Sequence, residues 1–259
     1  MSILGRGSEM TNQLTDGESS SASQTDSVVE RIRSLIIDLE LAPGSRIDER
    51  LLLSNYGFGR TPAREAINRL AAEGFVKIAP NRGGTFVRKL DLAEIREIVT
   101  AHQLAETVVG NLCRFDDAAL VPDLTAIQAE YREKVNQRQY LEITELNQRF
   151  HLRMHRTIDN SFIYDFAHST HRHVRRLNVL LYQLEAADSE LHEARFDENL
   201  SEHEAIIDAV RRGDRDALRT LCPAHATKTQ DRLIQILKTG TVQPFDIDIR
   251  TDDLLVPKS

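Results

Sequence analysis

Arginine and asparagine recur at helical spacing within residues 60–68. Arg60, Arg64 and Asn68 are each four residues apart, so a helix would place them on one polar face. Ile67 and Leu70 fall on the opposite, apolar face. Arginine can make two hydrogen bonds to a guanine edge and can also bind phosphate, as a DNA-reading helix must. The alternative is that these residues form a charged helix face that is only exposed to solvent, because charge stripes are common on helices.

Histidines form the second pattern with chemical potential. All nine lie beyond residue 100, in an acidic part of the chain. Asn147 and His151 are four residues apart and would share a helix face, whereas His203 and His225 belong to later helical segments. Imidazole nitrogens and amide oxygens can bind metal ions. Histidines scattered over helices are more often surface or hydrogen-bonded core residues, so spacing alone leaves both interpretations open.

The elements around Arg60 and Arg64 predict a small module at 27–90. Ser27 and Glu30 form a capping box that starts a first helix, and a Pro-Gly pair at 43–44 ends it. A short second helix contains the leucines at 51–53, and a third begins with Thr61 as its N-cap. Strands at 75–78 and 85–87 flank a turn at 81–84. Three helices and a hairpin within this length are typical of a winged helix-turn-helix.

The rest of the chain has almost continuous helical periodicity. Short polar breaks separate six segments, which predict an antiparallel helical bundle at 91–239. We expect a disordered arm at 1–26 and a loose tail at 240–259. The fold class is therefore mainly α, an N-terminal winged helix-turn-helix followed by an all-helical antiparallel bundle. The predicted bundle helices are 92–115, 117–137, 140–158, 161–187, 196–212 and 214–238.

Charge divides the two modules. Residues 28–90 carry 11 basic and 7 acidic side chains, a net +4, whereas residues 91–259 carry 21 basic and 29 acidic, a net −8. This asymmetry favours a nucleic-acid partner for the first module. No apolar run is long enough for a membrane helix, so we expect no membrane partner. Cys113 and Cys222 make no disulfide framework and, with no secretory signal evident, predict a cytoplasmic protein.

Three segments of the first module carry a longer motif: PGSRI at 43–47, GRTPAREAI at 59–67 and EGFV at 73–76. Together they resemble the DNA-binding domain of GntR-type bacterial transcription regulators, whose pattern reads roughly P-G-x-x-L, S-R-T-P-V-R-E-A-L and E-G-L-V. The segment NRGGTFV at 81–87 is similar to the wing of that domain. The helical part resembles the FCD effector domain of the FadR subgroup, and the resemblance covers about residues 27–238.

The resemblance implies roles for individual side chains of the first module. Arg60 and Arg64 would contact the operator, Thr61 would touch phosphate or a base, and Arg50 would reach DNA from the preceding helix. In the wing, Arg82 and Gly83 would approach the minor groove. Two alternatives stay open: Arg50 pairs only with the adjacent Asp48 or Glu49, and Gly83 only satisfies a turn with positive φ.

One residue departs from the motif. Gly59 stands where the family usually has Ser. Gly is an acceptable N-cap at a cost of a few tenths of a kcal/mol. We therefore expect one contact to be weaker without any change in the fold.

The FCD resemblance also implies a metal site. Its ligands would be Asn147, His151, His203 and His225, with His151 in the Phe-His pair of the family pattern. Three imidazoles and one oxygen suit Zn²⁺, and also Ni²⁺ or Mn²⁺. Because Asn147 offers a neutral amide oxygen, we expect weaker binding than a carboxylate would give.

The effector of such domains is usually an organic acid, and the family often presents an Arg for its carboxylate. Here the favoured register gives His102 and Glu106. A His binds an anion only when it is protonated or donates a hydrogen bond, so either the effector is less acidic than usual or arginines on later helices supply the charge. The candidate arginines are Arg153, Arg172, Arg175 and Arg176.

These observations leave three alternative functions for the protein. The first is a ligand-controlled regulator, most often a repressor in this family, that binds a palindromic operator as a homodimer and responds to a small organic acid bound near the metal. The second is a constitutive DNA binder with a vestigial pocket, for which Asn147 and His102 are the best support. The third is a metal-dependent hydrolase with an appended DNA-binding module. It is disfavoured because the segment HLRMH at 151–155 lacks the Glu of H-E-x-x-H, so we expect no enzyme.

Overall fold

The structure, a computed structural model, describes residues 12–79, 83–185 and 189–239. These residues form two compact units: the first contains the chain up to Ile36 together with Glu40–Arg88, and the second contains Ile37–Leu39 and the chain from Lys89 onward. Within the described residues there are nine helices and one two-stranded sheet. The predicted fold class is therefore confirmed. The predicted tail at 240–259 lies outside the described residues.

The first unit is a three-helix module with a hairpin. Its apolar interior is formed by residues that the helical periodicity placed inward, among them Ile32, Leu35, Leu52, Ala66 and Leu70, all with no exposed surface. The elements are α1 (Asn12–Ile37), α2 (Glu49–Tyr56), α3 (Arg60–Ala72), β1 (Val76–Ala79) and β2 (Gly84–Val87).

The start of α1 differs from the prediction. The helix begins at Asn12, so Ser27 is an interior residue and not the N-cap of a capping box. Residues 12–26, which we expected to be disordered, are helical. The remainder of the expected arm, residues 1–11, lies outside the described residues.

Contacts with α3 account for the helix at the predicted cap. Thr25 is buried, and its hydroxyl donates to Glu65 Oε2 at 3.0 Å. Asp26 forms an ion pair with Arg69. Polar residues such as Ser and Thr have modest helix propensity, which tertiary contacts readily override. The capping-box pattern at Ser27 and Glu30 therefore does not mark the N-terminus of α1.

The helices α2 and α3 begin in different ways. Asp48 caps α2, and its side chain accepts a hydrogen bond from the Leu51 backbone N–H at 2.9 Å. Gly59 caps α3 in extended conformation without a side-chain hydrogen bond. We had predicted Thr61 as the N-cap of α3, but it is the second residue of the helix. Pro62 is tolerated there because the first-turn N–H groups have no intrahelical partner.

The hairpin pairs β1 with β2 antiparallel in the register Val76↔Val87 and Ala79↔Gly84. Backbone hydrogen bonds add the segment before α2 to its edge: Ile47 N–H donates to Thr85 O at 2.9 Å, and Val87 N–H donates to Ser45 O at 2.9 Å. The wing is thereby tied to the rest of the first unit.

The second unit consists of six helices in the described part of the chain, as predicted. The connections between them are short, so consecutive helices run antiparallel. They are α4 (Leu92–Leu112), α5 (Leu120–Asn136), α6 (Tyr140–Arg156), α7 (Ser161–Glu185), α8 (Ser189–Arg212) and α9 (Arg215–Thr239).

The start of α8 also differs from the prediction. It begins at Ser189 and not at 196, although polar residues at 188–193 suggested a break. Leu191, Glu193 and Ala194 are good helix formers, and a run of polar residues within a helix resembles a loop in sequence. Residues 186–188 lie outside the described part of the chain.

Two packed regions organise the six helices. One contains Leu120, Ile143, Leu146, Phe150 and Ile206, and the other contains Ile95, Val99, Leu177, Leu181 and Leu233. The helix pairs that pack include α4 with α9, α6 with α7, α4 with α7 and α8 with α9. These pairs bring polar side chains of α4, α6, α7, α8 and α9 together in the interior of the bundle.

The contact between α4 and α9 is unusually close at Gly110. A Cβ atom on Gly110 would lie 2.8 Å from the carbonyl oxygen of Leu218. The absence of a side chain therefore lets the two helices approach each other. None of the helices in the described part of the chain combines the length and hydropathy of a membrane-spanning segment.

Candidate metal centre and nucleic-acid interface

The polar face of α3 is exposed as predicted. Arg60, Thr61 and Arg64 are exposed along the helix, while the opposite face is held in the interior of the unit. That buried face consists of Ala63, Ala66, Ile67 and Leu70. The sequence pattern therefore fixes which side chains a groove of DNA could meet.

Arg64 is held by a neighbouring carboxylate. Its Nε and Nη2 donate to Glu49 Oε1 and Oε2 at 2.6 and 3.3 Å. This contact lowers the pKa of Glu49, since the hydrogen bonds from Arg64 favour the ionised carboxyl. A negative charge thus lies directly beside the candidate DNA-contacting face.

Arg50 differs from Arg64 in having no such partner. It is exposed on α2, and the two acidic residues that could have paired with it are engaged elsewhere. Asp48 Oδ2 lies 3.4 Å from Arg46 Nε, and Glu49 binds Arg64. The structure does not contain the alternative contacts considered for Arg50.

The wing is only partly described. Arg82 lies outside the described residues, whereas Gly83 is exposed at the start of β2. A turn with positive φ was the alternative explanation for Gly83, but the residue with positive φ is its neighbour Gly84, at +83°. Gly83 is required for another reason, because a Cβ there would collide with the Cβ of Ala79.

Three histidines from three helices meet in the interior of the second unit. His151 on α6, His203 on α8 and His225 on α9 each offer one nitrogen, and these three atoms lie within 4.8 Å of one another. His151 and His203 have no exposed surface, and His225 is 6% exposed. We call these residues the three-histidine cluster.

An oxygen acceptor holds the outer nitrogen of each ring. His151 Nδ1 lies 2.9 Å from Glu106 Oε2, His203 Nδ1 lies 3.1 Å from Gln128 Oε1, and His225 Nδ1 lies 2.7 Å from Glu202 Oε2. An acceptor at Nδ1 places the proton there and leaves the Nε2 lone pair free. Metal-binding histidines are oriented in the same way.

Two inner nitrogens of the cluster lack hydrogen-bond partners. His151 Nε2 and His203 Nε2 are buried and unpaired, and so is Oδ1 of Asn147, one helical turn before His151. Buried polar atoms without partners cost folding free energy unless a ligand satisfies them. These atoms belong to three of the four predicted ligands.

Burial sets the charge of the rings. It lowers the pKa of His151, and it lowers the pKa of His203 well below the usual value for histidine. These two rings are therefore neutral near pH 7 and can act as electron-pair donors. Phe150 stacks on His203 with ring centroids 4.1 Å apart, which fixes that ring further.

A second group adjoins the three-histidine cluster. His102 and Glu106 on α4 and His171 on α7 offer atoms within 4.8 Å of one another, and all three residues are buried. We call them the His-Glu-His cluster. Sequence analysis singled out His102 and Glu106 only as a site for an effector, and it did not single out His171. The four-residue spacing of His102 and Glu106 was a signal of a shared face, but no signal in one sequence brings His171 to it.

The arginines predicted to bind an effector lie in different environments. Arg153 donates to Asp117 and Asp123, each at 2.6 Å. Arg172 is half-buried and Arg176 has no exposed surface, both on α7. Their contact with an effector stays a prediction.

Comparison with known proteins identifies the two units. Residues 24–87 match the bacterial regulatory proteins of the gntR family, and residues 91–228 match the FCD domain. The chain belongs to the gntR family. It is a DNA-binding transcriptional regulator of that family and not an enzyme. The resemblance drawn from the motif at 59–67 is confirmed.

Two relatives and one solved structure are similar to this gntR-family chain over most of its length. The uncharacterized HTH-type transcriptional regulator in an unstable DNA locus of Streptomyces ambofaciens is 28% identical over 226 residues, which cover 85% of this chain and 89% of that protein. The gluconate operon transcriptional repressor of Bacillus licheniformis is 28% identical over 188 residues, covering 72% and 75%. The structure of E. coli McbR/YncC aligns with a TM-score of 0.64 at 17% identity over 84% of this chain and 98% of that one, a likeness of fold.

Proposed function

We propose that this regulator is a cytoplasmic repressor that binds a palindromic operator as a homodimer and is controlled through a metal-containing effector site in its helical unit. A two-fold protein matches a palindrome because each protomer offers one α3 to one half-site. The Bacillus licheniformis relative is a gluconate operon transcriptional repressor, which supports repression as the direction of control. Arg50, Arg60, Thr61, Arg64 and the wing would contact DNA.

The metal would be held by the three-histidine cluster with Asn147. The observation that carries this assignment is the pairing of every outer Nδ1 with an oxygen while His151 Nε2, His203 Nε2 and Asn147 Oδ1 stay buried and unpaired. Three imidazoles and one amide oxygen fit Zn²⁺, and also Ni²⁺ or Mn²⁺. A bound ion would supply an electrostatic anchor for an anionic group.

The effector we propose is a small organic acid whose carboxylate binds near this ion. His102, Arg172 and Arg176 are the predicted side chains for further contacts, and Arg153 is a weaker candidate because Asp117 and Asp123 already bind it. An effector controls DNA affinity only if it binds the DNA-competent and incompetent states differently. The alternative is a constitutive DNA binder whose pocket no longer has this effect.

Selection from a random double-stranded DNA pool tests the DNA-binding part. We expect the full-length protein to recover one palindromic site and the variant Arg60→Ala/Arg64→Ala to recover none. The matched control is Arg132→Ala/Arg149→Ala, which removes two exposed arginines that also form ion pairs, with Glu204 and Glu130 in the second unit. Loss of the site in the control as well would remove the assignment to α3.

Operator affinity then tests control by ligands. The recovered site is titrated with chelator-treated protein, with Zn²⁺-loaded protein and with loaded protein plus a panel of small organic acids. We expect a change in affinity for at least one condition in which binding to the bundle is also detected. Equal affinity under every such condition favours the constitutive binder.

A further inference from the structure

We propose that the His-Glu-His cluster is a second binding site for a divalent cation, distinct from the three-histidine cluster. Its ligands are His102 and Glu106 from α4 and His171 from α7, whose donor atoms lie within 4.8 Å of one another. Two nitrogens and one carboxylate oxygen are a donor set that Zn²⁺ and similar cations accept.

The positions of the two α4 residues follow from helix geometry. His102 and Glu106 are four residues apart, so they lie on one face of α4, which packs against α7. His171 Nε2 lies 3.1 Å from Glu106 Oε1. Both atoms can reach a common ion with small shifts, because ligands bound at about 2.0–2.2 Å to one Zn²⁺ are themselves close together.

His102 provides the independent observation. The residue is 3% exposed, and neither of its ring nitrogens has a hydrogen-bond partner. Its ring is 5.3 Å from that of His171 in an edge-on arrangement. A buried neutral imidazole has one donor and one acceptor to satisfy. A cation would use the acceptor nitrogen that the protein itself leaves unpaired.

The charge of the cluster favours a cation over an anion. Burial lowers the pKa of His171 to about 4 and that of His102 well below its usual value, so both rings are neutral near pH 7. Burial alone would raise the pKa of Glu106, but the surrounding His151, His155 and His171 hold it well below its usual value. The cluster therefore carries one negative charge, which attracts a metal ion and which a bound divalent ion would more than offset.

Glu106 links the two clusters. Its Oε2 orients His151, a ligand of the three-histidine cluster, while its Oε1 faces His171. His155 Nε2 lies 3.5 Å from Glu106 Oε1 and comes from α6, one turn after His151. It can serve as a further ligand or as an outer hydrogen-bond donor. The carboxylate thus acts as an outer partner at one site and as a ligand at the other.

Counting bound metal in matched variants tests the proposal. Full-length protein is stripped with chelator, loaded with Zn²⁺ and desalted, and metal per chain is measured by mass spectrometry. Co²⁺ replaces Zn²⁺ in a parallel titration followed by visible absorption. Circular dichroism checks folding of each variant. The variants are His102→Phe, which keeps an aromatic ring in the buried position but removes both nitrogens, and His203→Phe, which does the same in the three-histidine cluster.

We expect two ions per chain in the wild type, one in each single variant and none in the double variant. The control His168→Ala, a histidine of α7 outside both clusters, retains two. One ion in the wild type that persists in His102→Phe and disappears in His203→Phe overturns the second site and leaves the first intact. If His102→Phe does not fold, His171→Asn replaces it, and a wild-type count of one is by itself sufficient to reject the proposal.

Discussion

Glu106 Oε2 lies 2.9 Å from His151 Nδ1, and both side chains have no exposed surface. A buried carboxylate is expensive to desolvate unless it is hydrogen-bonded. Here it fixes the tautomer and orientation of an imidazole whose other nitrogen faces the three-histidine cluster. The two clusters of the bundle therefore depend on the same side chain.

Replacing this carboxylate should weaken metal binding. In Glu106→Gln the acceptor for His151 becomes a neutral amide, and loss of such an outer partner typically reduces metal affinity about 10–100-fold. A competitive chelator titration measures the change. The control is Glu142→Gln, an exposed glutamate on α6. Equal affinities in both variants would show that Glu106 has no orienting role.

The carboxylate beside α3 should limit DNA affinity. Glu49 binds Arg64 through both oxygens, so Glu49→Gln removes a negative charge that repels phosphate and releases the guanidinium. We expect operator binding several-fold tighter at low salt, with a smaller gain at high salt because screening weakens the repulsion. Fluorescence anisotropy with labelled operator measures both. Weaker binding would mean that Glu49 instead positions Arg64 for its DNA contact.

A methyl group at Gly110 should push α4 away from α9. The new Cβ would lie 2.8 Å from Leu218 O, a backbone atom that cannot turn aside. Overpacking of this kind costs about 1–3 kcal/mol, measured as the free energy of unfolding in urea. Thr107→Ala is the control, since it introduces the same residue at an exposed position of α4. Unchanged stability of Gly110→Ala would show that the two helices can separate without loss.

Stability of the metal-free protein should fall as the pH is lowered from about 6.5 to 4. Burial lowers the pKa of His171 to about 4, whereas histidine in an unfolded chain titrates near 6.5. Between these values the unfolded chain binds more protons, so acidification favours unfolding.

The effect of His171 alone is on the order of 1–3 kcal/mol. Urea unfolding of chelator-treated protein at several pH values measures it, and His171→Asn should show a shallower dependence on pH. An identical dependence in that variant would assign the effect to other groups.

Local chemistry made much of the fold predictable from sequence. Gly57, in left-handed conformation, closes α2, and the buried face of α3 follows the periodicity of Ala63, Ala66 and Ile67, whereas α1 ends at Ile37, before the Pro-Gly pair that was expected to end it. Errors occurred where tertiary contacts overrode local preference. Thr25, for example, continues α1 because it hydrogen-bonds to α3, and nothing near it in the sequence indicates that contact.

The site was predictable only in part for a similar reason. Spacing can place His102 with Glu106 on one helix face, because the distance along a helix is fixed. It cannot show that His171, more than 60 residues later, turns toward them. That depends on how α4 packs against α7, which is determined by apolar residues distant from the site.

Complete burial of His151 and His203 has a kinetic consequence. An ion bound by them would have no open path to solvent through those two side chains, so its release, like the entry of an effector to it, would require the surrounding helices of the second unit to move apart. Opening of a packed core is rare and slow compared with diffusion. The ion would then exchange at the rate of this opening, and its occupancy would reflect the metal supply when the chain folded more than the supply at any later moment.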